Sequence, residues 1–189
     1  MKRMWRVAGA LCIAHLVLLL AGYSLQKAPA WGASSANIVA TYAGVSATKM
    51  YAGGFITTVA WLVLIAAITL ISTLLRGTTE TSGWYARLIV VAGSLAAAVA
   101  LAGAFVTDGA AYYGATHGYA RDAVAVASVA SKFADQISFM ATGMLVLAVA
   151  GAGLTSGLLP RWASIVSAIV GAIAVVSAAS ASMLNTGTL

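Results

Sequence analysis

The sequence contains few charged residues, and this scarcity restricts the class of protein. Only 7% of its 189 residues are charged, while 62% are hydrophobic. An ordinary soluble domain carries about 25% charged residues, so this chain could not cover a water-facing surface and lipid is the expected solvent for most of it. The formal net charge of +6 is spread over separate loops, and we therefore expect no nucleic-acid partner.

Cysteine, proline and catalytic motifs are also scarce. The single cysteine, Cys12, excludes an intrachain disulfide, and the two prolines leave the long apolar runs uninterrupted. The sequence lacks the alternating strands of an outer-membrane barrel. It also lacks a P-loop, a dinucleotide fingerprint, a Cys-x-x-Cys pair, an HExxH motif and a Gly-x-Ser-x-Gly elbow. We therefore expect no cofactor and no metal.

Five apolar runs are long enough to cross a hydrocarbon core about 30 Å thick, which takes roughly 20 helical residues. Because lipid offers no partners to backbone groups, each run is expected to be an α-helix. The first run also fits a signal peptide, and we interpret it as a span. The sequence thus predicts an all-α, single-domain bundle with five transmembrane helices at residues 7–25, 51–75, 87–107, 133–158 and 162–184.

The basic residues predict an orientation in the cell membrane. With the N-terminus inside, the cytoplasmic ends carry Lys2, Arg3, Arg6, Arg76, Arg87 and Arg161 against Glu80. The outer ends then carry Lys27, Lys49, Arg121 and Lys132 against Asp108, Asp122 and Asp135. The positive-inside rule favours this arrangement. Aromatic residues expected to anchor the outer interface are Trp31, Tyr42, Tyr51, Tyr112 and Tyr113.

The connections between the runs differ in length. The outer ones, residues 26–50 and 108–132, are long and contain helix-like or aromatic stretches, so both are expected to be structured. Within the first, "SSANIVATYAG" predicts a short helix capped by Ser34 or Ser35. On the inner side, Gly157 is expected to end the fourth helix, and Pro160 prevents its continuation into the fifth. Small residues on the third and fifth runs predict close helix packing.

The fourth run carries a polar seam that lipid would not tolerate. On a helical wheel an arc of roughly 80° contains Ser128, Ser131, Asp135, Ser138 and Thr142. An aspartate facing lipid at mid-depth costs about 2.5–3.5 kcal/mol, so the seam should face the bundle interior. Lys132 and Asp135 could form an interfacial pair, or Asp135 could lie in an outward-opening pocket.

The pocket interpretation assigns candidate site residues. Asp135 would be the acid or base, with Asp108 or His117 as its catalytic partner. A metal site formed by Asp108, His117 and Asp122 is a weaker alternative. Candidate binding residues are Ser131, Ser138, Thr142, Lys132, Gln136, His15, Trp61, Tyr112, Tyr113 and Phe139.

His15 lies near the middle of the first run. There it is expected to form a hydrogen bond to a neighbouring helix, or to serve as a proton relay or ligand contact.

Two stretches, "RVAGALCIAHLVLLLAGY" and "GMLVLAVAGAGLTSGLLPRWASIV", resemble a family of uncharacterised bacterial multi-pass membrane proteins. In that family a glycine-rich helix ends in a small-residue/Leu-Pro-Arg turn before the last spans. The resemblance implies a membrane bundle with Pro160 and Arg161 at the inner boundary. Members often have a further span, which this sequence lacks, and the family implies no activity and no site residue.

The leading hypothesis is a cofactor-independent acid/base enzyme, a cyclase or isomerase, acting on a lipid-soluble isoprenoid- or polyketide-like substrate. The alternative is a non-enzymatic accessory or small-molecule-binding subunit, and a transporter is less favoured because five spans with one short seam leave little room for alternating access. The expected partners are membrane lipids and a hydrophobic small molecule, and assembly as a homo-oligomer stays open.

Overall fold

The computed structural model describes residues 2–76, 80–157 and 159–186. Within these ranges the chain is mostly helical and contains no strand, so the predicted all-α bundle is confirmed. One π-helical segment, Val99–Phe105, joins α4 to α5 without a break. The α-helices are α1 (Lys2–Leu25), α2 (Ser35–Ala43), α3 (Ala47–Leu75), α4 (Glu80–Ala98), α5 (Val106–Thr116), α6 (Arg121–Ser156) and α7 (Arg161–Thr186).

Five of these helical segments are long and apolar enough to cross a membrane, as expected for a multi-pass membrane protein. They are Arg3–Leu25, Ala47–Leu75, Glu80–Thr116, Arg121–Ser156 and Arg161–Ser180. The third and fourth extend well beyond the predicted spans. Only residues 117–120 separate α5 from α6, so most of the connection expected between residues 108 and 132 is helical.

The short helix α2 explains this extension. Ser34 accepts a hydrogen bond from the backbone N–H of Asn37, which confirms the predicted cap. Behind this cap, α2 buries Ile38 and Tyr42 against the ends of α5 and α6, where it meets Tyr112 and Val124. Because these apolar residues have a protein surface to cover, the chain remains helical beyond the expected spans. We call this end of the bundle the α2 end.

Two of the expected interfacial aromatic residues are core residues instead. Tyr42 and Tyr112 are only 1% and 5% exposed, because both belong to the cluster beneath α2. Their assignment as lipid-interface anchors is therefore wrong. Trp31, Tyr51 and Tyr113 are exposed.

The long helices pack in chain order, α1 on α3, α3 on α4, α4 on α6 and α6 on α7. The outer pairs approach closely over glycine. A Cβ atom on Gly22 of α1 would lie 2.9 Å from the carbonyl oxygen of Gly53 on α3, and one on Gly171 of α7 would lie 2.9 Å from that of Gly143 on α6. Such contacts hold helices together where lipid removes the hydrophobic drive between them.

The C-terminal end of α6 and the inward side of its seam also match the sequence prediction. Gly157 adopts the left-handed conformation, with φ 65°, and donates to the carbonyl of Gly153. Ser128, Ser131 and Ser138 of the seam are all buried. The seam therefore faces neighbouring helices rather than the surface of the bundle.

Candidate functional site

A cavity of about 550 Å³ lies near the α2 end, between α1, α2, α3, α5 and α6. Its apolar walls include Met50, Trp61, Ala100, Phe105 and Val106. The polar residues that line it are Tyr23, Gln26, Tyr42, Tyr51, Thr57, Asp108, Tyr112, Ser131, Lys132 and Asp135. Most of the cavity surface is nevertheless apolar, and mainly apolar cavities of this volume are typical of small-molecule sites.

Asp108 is held in place by a tyrosine from α2. The hydroxyl of Tyr42 donates a hydrogen bond to Oδ1 of Asp108 and lies 3.3 Å from Oγ of Ser128 on α6. Burial raises the pKa of the Tyr42 phenol well above its usual value, and the negative charge of Asp108 raises it further. Tyr42 is therefore a persistent donor, and it links α2, α5 and α6 at the cavity wall.

Asp135 has a different environment in the same cavity. It is half-buried on α6, one turn from the buried Ser131. Across residues 2–76, 80–157 and 159–186, no side chain or backbone group is hydrogen-bonded or ion-paired with its carboxyl group. The cavity thus contains one carboxyl group engaged by a phenol and one whose oxygens are available to a ligand.

Lys132 ties the segment after α1 to α6. Its Nζ donates to the carbonyl oxygen of Ala30 at 2.5 Å and lies 5.3 Å from the ring centroid of Trp31. Trp31 in turn packs edge-on against Phe133, with ring centroids 5.7 Å apart. Because Lys132 is engaged there, the structure contains no Lys132–Asp135 ion pair in the part it describes.

The cavity brings together six of the candidate site residues. They are Asp108, Asp135, Ser131, Lys132, Trp61 and Tyr112. Gln136 follows Asp135 but does not line the cavity, and its amide nitrogen is buried without a hydrogen-bond partner in the described structure.

The deeper part of the seam stabilises helices instead of lining the cavity. Oγ of Ser138 donates to the carbonyl oxygen of Ala96 on α4 at 3.0 Å. Oγ1 of Thr142 donates to the carbonyl oxygen of Ser138 in its own helix. Phe139 points away from the seam and is 55% exposed. These three predicted binding residues therefore lie outside the cavity lining.

His117 and Tyr113 lie together on the exposed α2 end. Their rings stack with centroids 3.9 Å apart, and Nδ1 of His117 is 2.9 Å from the carbonyl oxygen of Tyr113. Neither residue lines the cavity, so the structure does not bring His117 to Asp135. Among the described residues, no three His, Cys, Asp or Glu side chains could hold a metal ion, and the alternative site with Asp108, His117 and Asp122 is not assembled.

His15 is buried behind the cavity wall. Its Nδ1 lies 2.8 Å from the carbonyl oxygen of Ala60 on α3, and its ring packs at 5.4 Å from that of Trp61. Because a carbonyl oxygen only accepts, Nδ1 carries the hydrogen. The predicted interhelical hydrogen bond of His15 is confirmed, and its contact with the site runs through Trp61.

Sequence reasoning did not find Tyr42 or Tyr23 as cavity residues. Tyr42 looked like an interfacial residue because nothing in its local pattern reveals a partner 66 residues away. The π-helical segment was also missed, although such segments frequently occur at functional sites. It ends at Phe105, whose ring covers Gly54 of α3 so closely that a Cβ there would lie 2.2 Å from Cε2.

Comparison with known proteins supplies no relative of this chain: no protein family matches it, and no curated protein or solved structure is similar to it. The resemblance to bacterial multi-pass membrane proteins stays a prediction, and the site has to be interpreted from its own chemistry.

Proposed function

We propose that the protein is a cofactor-independent acid/base enzyme of the cell membrane, with Asp135 as the group that exchanges a proton with a lipid-soluble substrate. The proposed reaction is an isomerisation or cyclisation of an isoprenoid- or polyketide-like molecule. The proposed orientation keeps the N-terminus in the cytoplasm, which would place the cavity towards the outer side.

The observation that carries this proposal is the contrast between the two carboxyl groups of the cavity. Asp108 accepts a hydrogen bond from Tyr42, whereas Asp135 has no such partner in the described chain. Pairs of acidic groups in unequal environments are the usual arrangement for acid/base roles. A carboxyl group with free oxygens can also come within hydrogen-bond reach of a bound substrate, which is the first requirement for proton transfer.

The walls of the cavity suit a largely hydrocarbon substrate. Met50, Trp61 and Phe105 provide apolar and aromatic surface next to the carboxyl groups. In the proposed step, the Asp135 carboxylate removes a proton from a carbon next to a carbonyl or double bond. The same carboxyl group then returns a proton to another carbon of the conjugated system, so atoms and electrons balance and no oxidant is needed.

Deuterium incorporation tests this step with whatever small molecule the protein retains. The full chain would be purified in mild detergent, and the small molecules that co-purify would be extracted and identified by mass spectrometry. They would then be returned to the protein in D₂O. Wild type should place deuterium on carbon, and Asp135→Asn should slow this exchange by about 10²–10⁴-fold.

Asp122→Asn is the matched control, because Asp122 is exposed in the first turn of the same helix and does not line the cavity. It should exchange at the wild-type rate. Exchange that persists in Asp135→Asn, or that is missing in wild type with the molecule bound, would contradict the enzymatic proposal. A large drop in melting temperature for Asp135→Asn would instead indicate a structural role.

A second candidate is a small-molecule-binding subunit without catalysis, and the charge of the cavity favours it. Two carboxyl groups, Asp108 and Asp135, and one ammonium group, Lys132, line the cavity together with aromatic residues such as Tyr23 and Trp61. This combination would suit an organic cation with an apolar body.

Two ions of the same shape and opposite charge test the binding function. Tetraphenylphosphonium should bind the detergent-solubilised protein, tetraphenylborate should not, and Asp135→Asn should weaken cation binding while Asp122→Asn leaves it unchanged. Cation binding without deuterium exchange would favour the binding subunit over the enzyme. Equal binding of both ions would exclude charge recognition in the cavity.

A further inference from the structure

A second, smaller hollow lies at the opposite end of the bundle. It has a volume of about 180 Å³ and is formed by the start of α1 and the ends of α3 and α6. Its walls are almost entirely apolar and include Trp5, Gly9, Leu75 and Val149. Along α6, Val149 lies about 21 Å from Asp135 at 1.5 Å per residue, so this hollow, which we call the α1 groove, is separate from the cavity.

Three arginines lie close in sequence to residues that line the α1 groove, at the same end of the bundle. Arg6 follows the lining residue Trp5, Arg76 follows Leu75, and Arg161 lies two positions after Leu159. All three are exposed, and none forms an ion pair or side-chain hydrogen bond within the described part of the chain. Among the described residues at this end of the bundle, Glu80 is the only acidic one, so positive charge exceeds negative charge there.

We propose that the α1 groove holds an acyl chain of an anionic phospholipid, whose phosphate is bound by Arg6, Arg76 and Arg161. The apolar walls would contact the acyl chain, and the arginines, which have no partner in the described structure, would bind the negatively charged head group. Basic pockets between transmembrane helices recognise anionic lipids in this way.

The combination of apolar walls and nearby positive charge argues for an anionic phospholipid over the alternatives. A free phosphate would use the arginines but not the apolar walls. A zwitterionic lipid would contact the apolar walls but would bring no net negative charge to the arginines.

Native mass spectrometry of the detergent-solubilised full chain can test this binding with defined probes. Dioleoylphosphatidylglycerol should bind in preference to dioleoylphosphatidylcholine, which has the same chains, and glycerol phosphate should not bind. The double variant Arg76→Gln/Arg161→Gln should weaken phosphatidylglycerol binding by about 30-fold. The double variant Lys49→Gln/Arg121→Gln removes two exposed cations from the α2 end and should leave binding unchanged.

The groove itself is tested by filling it. A Cβ atom on Gly9 meets nothing within 4 Å, so Gly9→Leu should fold normally and obstruct the acyl chain, weakening binding by about tenfold. Ala10→Leu adds a larger side chain to the neighbouring exposed position and should have no effect. Equal binding of the two phospholipids, binding of glycerol phosphate, or equal effects of a variant and its control would each overturn the proposal.

Discussion

Tyr42 connects the short helix α2 to the cavity through both parts of its side chain. Its ring is buried with Ile38 and Tyr112 beneath α2, and its hydroxyl donates to Asp108. The hydrogen bond fixes Asp108 at the cavity wall and leaves Asp135 as the carboxyl group available to a ligand. The chemistry proposed for the cavity therefore depends on Tyr42, which lies on the short helix α2 and not on a membrane-spanning helix.

Removal of this phenol should change the response of stability to alkaline pH. The pKa of Tyr42 is raised in the folded protein, mainly by burial, so the folded state holds the proton more tightly than the unfolded chain. The Tyr42 phenol therefore makes its full contribution to the free energy of unfolding below about pH 10, the pKa of a tyrosine in the unfolded chain. This contribution declines as the pH rises above that value. Tyr42→Phe should be less stable than wild type at about pH 8, by about 1.5–3 kcal/mol, with the difference narrowing above about pH 10.

Unfolding of Tyr42→Phe and wild type in mixed micelles, from about pH 8 to above pH 10, measures the stability difference and its decline with pH. Tyr113→Phe is the control, since Tyr113 is exposed on α5 and outside the cavity, and it should follow the wild-type curve. A stability difference between Tyr42→Phe and wild type that stays constant through the alkaline range would contradict the assigned role.

His15 should contribute to stability through its bond to α3. The change His15→Leu removes the hydrogen bond to Ala60 while retaining apolar volume beside Trp61. Interhelical hydrogen bonds of this kind contribute about 0.6 kcal/mol on average and up to about 1.7 kcal/mol, and we expect a loss in that range. Unfolding in mixed micelles measures it, with Leu16→Ala on the exposed side of α1 as the control that should cost less.

At the scale of the helices, the close contact between α1 and α3 depends on glycine, because glycine has no side chain to hold the two backbones apart. A Cβ atom on Gly22 would lie 2.2 Å from Oγ1 of Thr57 and 2.9 Å from the carbonyl oxygen of Gly53. The hydroxyl could rotate away, but the backbone carbonyl could not, so Gly22→Ala should force the two helices apart. We expect a destabilisation of roughly 1–3 kcal/mol.

The same substitution at the other end of α1 provides the comparison. Gly9→Ala places its Cβ in open space and should leave the free energy of unfolding nearly unchanged. Equal losses for Gly22→Ala and Gly9→Ala in mixed micelles would contradict close packing with α3 as the cause, since helix propensity favours alanine over glycine at both positions.

The helices themselves were largely predictable from local sequence signals. Hydropathy located the five long helices, Ser34 marked the start of α2, and Gly157 marked the end of α6. The continuation of α5 and α6 beyond the expected spans was not predictable in this way. It depends on Tyr112 and Val124 packing against α2, and hydropathy does not distinguish burial against protein from burial in lipid.

Across the whole molecule, the cavity shows where prediction from sequence stops. Helical periodicity correctly placed Ser131 and Asp135 on the inward side of α6, but it could not select the neighbours of that face. Tyr42 and Ala30 reach Asp108 and Lys132 across 66 and 102 residues of chain. Such contacts follow from how all the helices assemble, which no local pattern encodes.

The orientation of the whole bundle is a further prediction, based on the excess of basic residues at the end opposite α2. Cys12 is the only cysteine, so Cys12→Ala gives a background in which single cysteines can be placed at either end. Ala120→Cys lies in the exposed turn before α6, and Thr81→Cys lies in the exposed first turn of α4. In intact cells a membrane-impermeant maleimide should label Ala120→Cys and spare Thr81→Cys, while both should react after the membrane is permeabilised. Labelling of Thr81→Cys alone would reverse the orientation and place the cavity towards the cytoplasm.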